Sequence, residues 1–271
     1  MTAFLQILAL ASYLAAALML GQNLAQGVRA NPTYRRIGLG LGALALVLHA
    51  VALQQSVFTP EGVWLGFFNV LSLTAWLISL LLVLTAAVRP VESLGIVIFP
   101  FAAAAVMLKL LFPEAGIRIG GHGPALELHI LVSFLAYSLL GLAAVQALLL
   151  AAQERHLRTK RPGGYVRALP PLQTMEQLLF QLIALGFFLL SLALASGFLF
   201  LEDIFAQHLV HKTVLSITAW TVFGILLFGR WRFGWRGRTA IRWTLSGFAV
   251  LMLAYFGSKL VLELILRRGA A

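Results

Sequence analysis

Six histidines are the residues of this chain best able to do chemistry. His49, His122, His129, His208 and His211 all fall near the same ends of the apolar segments; His156 falls at the opposite ends. Imidazole titrates near neutral pH and is the commonest protein metal ligand, so such a grouping suits iron in haem or another metal centre. His49 interrupts the apolar run Leu46–Leu53. A neutral imidazole there still has a donor and an acceptor to satisfy, which turns it toward the protein interior, either as an interhelical hydrogen bond or as a ligand. His129 shares a helical face with Ser133 and Tyr137 at i+4 and i+8, a polar stripe that suits an interior cavity or a helix contact rather than lipid. His208 and His211, spaced i, i+3, are a secondary pair that reads as interfacial and pH-sensitive or as part of a metal site. His122 sits in the glycine-rich run Gly120–Gly123 and reads as a loop residue. His156, between Arg155 and Arg158, reads as solvated.

The elements that must position these side chains are transmembrane helices. The chain has 271 residues, 61% hydrophobic and 11% charged, with mean hydropathy +0.95. No water-soluble core could bury that much apolar surface. A hydrocarbon crossing takes about 20 apolar residues. Eight such spans are expected, near 3–22, 36–54, 63–87, 94–112, 126–152, 177–201, 211–229 and 241–265, in one membrane domain. The expected fold is thus all-α, a polytopic helical bundle. The apolar start lacks a preceding basic segment and reads as a retained first helix rather than a cleaved signal.

Net charge of +11 would suggest nucleic acid in a soluble chain; here it reflects cationic loops, and no nucleic-acid partner is expected. Fourteen of the 20 lysines and arginines lie between spans one and two, three and four, five and six, and seven and eight. The positive-inside rule makes that side cytoplasmic and puts both termini outside, in the periplasm. Six of the nine acids lie on the opposite side. The absence of cysteine excludes disulfides, iron–sulfur ligation, covalent thioether chemistry on this chain and thiolate zinc sites. The loop near 153–176 carries Arg161-Pro-Gly-Gly and Leu169-Pro-Pro-Leu, breaker signals, and Thr174 is the expected N-cap of span six. Trp64, Trp231, Trp235 and Trp243 fall at span ends, where indoles ordinarily sit. Lys259 stands one turn before Glu263, either as an ion pair or, like Lys109, facing an anionic group such as a propionate or lipid phosphate at the outer boundary.

Lys212–Trp220 with Gly229–Arg238, His129–Ser138, Leu169–Met175 and Ala254–Lys259 resemble the cytochrome c assembly superfamily over the whole chain, nearest its HemX/YpjD-type branch. The resemblance implies an eight-span inner-membrane protein that handles haem b, with His49 and His129 as haem ligands and lipid, haem and a cytoplasmic or membrane protein as partners. The chain departs from the superfamily's haem exporters and synthases. Where they carry a tryptophan-rich outer loop it has Glu202–His211, with no tryptophan. Phe228 stands at the second intramembrane histidine position, and the second outer histidine is absent. Ligation of haem to apocytochrome is therefore not expected, and no nucleophile–base pair marks an enzyme. Two further functions compete: a membrane-bound regulator or scaffold of tetrapyrrole synthesis acting through the basic loops, and an accessory role in divalent-cation transport or resistance. The last is weakened because all nine acids lie at or beyond span ends.

Overall fold

The computed structural model describes residues 2–26, 31–59, 62–64, 66–112, 118–119, 124–158, 169–200 and 207–257. Its helices are α1 (Thr2–Ala25), α2 (Pro32–Ser56), α3 (Phe67–Val88), α4 (Gly95–Leu111), α5 (Pro124–Arg158), α6 (Leu172–Phe200), α7 (Gln207–Phe233) and α8 (Arg238–Met252). A 3-10 turn at Glu92–Leu94 leads into α4, and a π-helical turn at Leu253–Gly257 extends α8. Among the described residues, eight helices are long and apolar enough to cross a membrane. The expected all-α, polytopic bundle is what forms.

Three short strands, β1 (Phe58–Thr59), β2 (Gly62–Trp64) and β3 (Arg118–Ile119), add a small antiparallel sheet that hydropathy did not reveal. They pair Phe58 with Val63 and Val63 with Ile119. Several helices also outrun their apolar cores. The fifth span was expected near 126–152, but α5 is 35 residues long and α7 is 27. Hydropathy registers only the part in hydrocarbon, whereas a helix continues into polar surroundings while its backbone bonds are met. Thr174 is not a cap: α6 has already begun at Leu172, directly after Pro170 and Pro171, which break the preceding chain.

The chain divides into two compact units. The first contains residues 1–120 and 152–172, the second 121–151 and 173–271. In the first, α1 packs on α2 and α4, and α3 on α2 and α4. Lipid tails provide no hydrophobic contrast, so close contact of small residues must hold such helices together. A methyl group at Gly42 would lie 2.5 Å from the Phe99 ring, and one at Gly38 or Gly95 within 2.8 Å of Leu20. Ala9, Ala16 and Ala45 continue the same close seam. At the end opposite the sheet, Asn31 Oδ1 caps α2 by accepting from Thr33 N at 2.9 Å. Arg35 Nε pairs with Glu92 Oε1 at 2.9 Å, and Arg35 Nη2 donates to the Ala86 carbonyl near the end of α3.

In the second unit, a methyl group at Gly186 of α6 would lie 2.7 Å from Leu140 of α5. Gln146 Nε2 donates to the Met175 carbonyl at 3.0 Å. Trp220 of α7 stacks on Phe187 of α6, with centroids 5.4 Å apart, and its Nε1 donates to Ser191 Oγ at 2.8 Å.

Candidate functional site

In the first unit, His49 is 1% exposed and both ring nitrogens have partners. Nδ1 meets the Tyr13 hydroxyl of α1 at 3.2 Å, and Nε2 meets Ser72 Oγ of α3 at 2.8 Å. The Tyr13 ring stands edge-on to the imidazole at 5.8 Å and lies 5.7 Å from Phe99 of α4. The expectation that His49 faces the interior holds, and its hydrogen bonds reach two other helices. A metal could take Nε2 only by displacing Ser72, in the tautomer that keeps a proton on Nδ1 for the tyrosine oxygen.

Lys109 lies in the same unit, 7% exposed. Its Nζ donates to Ser56 Oγ at 2.6 Å, and Ser56 Oγ donates to the Ala52 carbonyl at 2.7 Å. No carboxylate partner is present among the described residues. Lys109 closes the last turn of α4, and Ser56 is the final residue of α2. The carbonyl-rich C-terminal ends of two helices carry partial negative charge, which offsets the buried ammonium.

In the second unit, His129 occupies the second turn of α5 and is only partly buried. Its Nδ1 meets Ser196 Oγ of α6 at 2.8 Å, while Ser196 Oγ donates to the Ala193 carbonyl at 2.9 Å. With that donor proton already used, Ser196 accepts, so Nδ1 carries the proton. No side chain meets Nε2 among the described residues, and the ring also bonds the Ala193 backbone. A ring held through Nδ1–H, with no side chain on Nε2, suits a histidine that ligates a metal.

The expected stripe along α5 is present, used for helix contact. Ser133 Oγ donates back to the His129 carbonyl at 2.7 Å. The Tyr137 hydroxyl donates to the Leu251 carbonyl of α8. Tyr137 is ringed by Phe248, Tyr255 and Phe256, with centroids 6.0–6.4 Å away. Leu251 is one residue from the end of regular helix in α8, and Tyr255 lies within the π turn. Lys212 Nζ stands 5.7 Å from the centre of the Tyr255 ring. A cation beside the His129–Tyr137 stripe becomes visible only through the turn that extends α8.

His49 and His129 thus belong to separate units. His211 is exposed on α7, in keeping with an interfacial residue, and His208 lies in the same helix. His122, Lys259 and Glu263 lie outside the described residues. Among the described residues no three His, Cys, Asp or Glu side chains come together. His156 Nδ1 donates to the Ala152 carbonyl at 2.9 Å. Sequence reasoning missed Tyr13, Ser72 and Ser196. Each is a polar residue within a largely apolar span, a weak signal that the histidines would have strengthened had their partners been sought.

The family described as Cytochrome C assembly protein matches residues 38–266. The inner membrane protein YpjD of Escherichia coli strain K12 is 32% identical over 237 residues, covering 87% of this chain and 90% of its own length. An uncharacterized 28.8 kDa protein of Azospirillum brasilense is 35% identical over 69% of this chain and 71% of its own. Protein HemX of Brevibacillus brevis is 23% identical over 79% and 83%. No solved structure matches the chain at a significant level.

Proposed function

Because this chain belongs to the cytochrome c assembly family, we propose that it binds and handles haem b within the membrane without ligating it to apocytochrome. It is a multi-pass protein of the inner membrane. The observation that carries the reading is His129, whose Nδ1 is held by Ser196 while no side chain meets Nε2 among the described residues. That donor set fits a haem iron, which when bound would supply a redox-active, strongly coloured centre. His129 would hold it through Nε2. Lys212, beside Tyr255, supplies a cation of the kind that matches a propionate, the role that Lys259 was also expected to fill. His49 joins as a ligand only by exchanging Ser72 Oγ for iron; otherwise it serves packing. His208 and His211 remain secondary candidates. In this reading the chain is not an enzyme: its residues bind, orient and shield. The termini lie in the periplasm, as the distribution of basic residues suggests.

The test is an absorbance spectrum of protein purified from haem-replete cells. A Soret band is expected, lost in His129→Ala. A protein that shows no band, and that does not acquire one on titration with haem, overturns the reading.

A second reading, a regulator or scaffold of tetrapyrrole synthesis, draws on Arg155 and Arg158, both exposed at the end of α5. It predicts a co-purifying cytoplasmic protein that is lost when these arginines are neutralised.

A further inference from the structure

The connection between α7 and α8 is a built corner. The Trp235 indole folds against α7 so closely that a methyl group at Gly229 would lie 2.4 Å from it. Gly234 N donates to the Arg230 carbonyl at 3.1 Å, and Trp235 N to the Gly229 carbonyl at 3.2 Å. Gly234 and Gly237 take φ of 67° and 54°, a region that L side chains rarely adopt. Gly237 N donates to Glu176 Oε1 of α6 at 2.7 Å. Arg230 is part of this scaffold: Nη1 donates to the Trp235 carbonyl at 3.2 Å, and its guanidinium lies 4.6 Å over the Phe180 ring.

Arg232, Arg236 and Arg242 are exposed, and the segment 230–242 contains no acid. Arg232 lies in the last turn of α7. Val214, Ile217, Thr221, Ile225 and Phe228 are exposed at helical spacing, a largely apolar stripe on a helix long and apolar enough to cross a membrane. The stripe ends at Trp231, 81% exposed, and Arg232. Phe228 lies 6.0 Å from Trp231 and 6.2 Å from Phe233, and the Arg232 guanidinium sits 5.7 Å from the Phe233 ring centre. An apolar track therefore runs up the helix and finishes at an aromatic cluster with a fork-shaped cation beside it.

We propose that this corner is a binding site for an anionic phospholipid, with an acyl chain along Ile225 and Phe228, the phosphate at Arg232, and the headgroup's net charge met by Arg236 and Arg242. A guanidinium binds phosphate oxygens in pairs and remains charged beside aromatic rings. Continuity with that stripe selects a lipid over a soluble protein, because Ile225 and Phe228 belong to a helix suited to span the hydrocarbon, where a soluble partner does not reach. Near a membrane surface each basic residue contributes about 1 kcal/mol toward anionic lipid. The proposal is independent of haem binding.

Native mass spectrometry of the purified chain, equilibrated with phosphatidylglycerol or phosphatidylcholine, tests it. Wild type should retain phosphatidylglycerol preferentially, and R232Q/R236Q should lower that retention roughly 10- to 30-fold, as expected for two lost charge contacts. R155Q/R158Q, on another connection, should leave it intact. Should the double variant fail to fold, R232K keeps the charge and removes the fork, and retention should fall about threefold. The proposal is overturned if wild type does not distinguish the two lipids, if R155Q/R158Q weakens retention equally, or if R232K matches wild type. It is likewise overturned if a soluble protein requires these arginines while lipid retention does not.

Discussion

His49 sits in the second half of α2 and His129 near the start of α5, each within a largely apolar run, and each looks in the sequence like the same kind of intramembrane ligand. Their surroundings differ. Tyr13 and Ser72 come from two neighbouring helices and take both nitrogens of His49. Ser196 takes one nitrogen of His129, and among the described residues no side chain takes the other. A buried polar group left without a partner costs about 1–3 kcal/mol, so the first histidine is tied to stability while the second is free for a ligand. Burial alone would have ranked them in the opposite order for function, since His49 is the more deeply enclosed.

The comparison breaks most visibly at the ligand. His129→Ala should abolish the haem band while leaving the melting temperature within a few degrees of wild type, because the hydrogen bonds lost lie at a partly exposed position. If the band persists in that variant and disappears in His49→Ala, the assignment of the two histidines is reversed. For stability, His49→Ala should cost about 2–4 kcal/mol, since it opens a gap and strands the Tyr13 and Ser72 hydroxyls. Thermal unfolding in detergent measures this, and a shift no larger than that of His129→Ala would contradict the division of roles.

Ser196→Ala sharpens the second half of the comparison. The ring loses the group that orients it, and haem affinity should fall about 10-fold, as when other outer-shell partners of ligating histidines are removed. Titration with haem followed by absorbance reads the effect. Ser72→Ala should leave affinity unchanged; a gain would mean that His49 ligates once Nε2 is released. The smallest effect is expected at Lys109. Lys109→Met removes a buried ammonium held by one hydroxyl and two helix ends, and should change stability by no more than about 1 kcal/mol in either direction. A larger loss would point to an anion at that position, as for a propionate or lipid phosphate.

Much of the architecture was legible because the bilayer constrains it strongly. A stretch of some 20 apolar residues in lipid has little choice but helix, since every backbone group must be bonded within the segment. The eight spans therefore followed from hydropathy, and their polar extensions, such as the last turns of α5, did not. Thr174 was misread for a related reason: its side chain suits a cap, but the prolines before it had already set where α6 begins. The small sheet of β1, β2 and β3 has too few residues to show a periodic pattern. Of the candidate site, the positions of His49 and His129 were legible as polar interruptions, as was the stripe from His129 to Tyr137.

The sequence by itself determined the solvent, the number of crossings, the family and the two embedded histidines, because these rest on hydropathy and on residue types along one chain. Only the tertiary structure decided which nitrogen of which histidine is occupied. Tyr13 stands 36 residues from His49, and Ser196 stands 67 from His129. Whether a polar group is satisfied depends on partners brought close by helix packing, and no local pattern in the sequence records that distance.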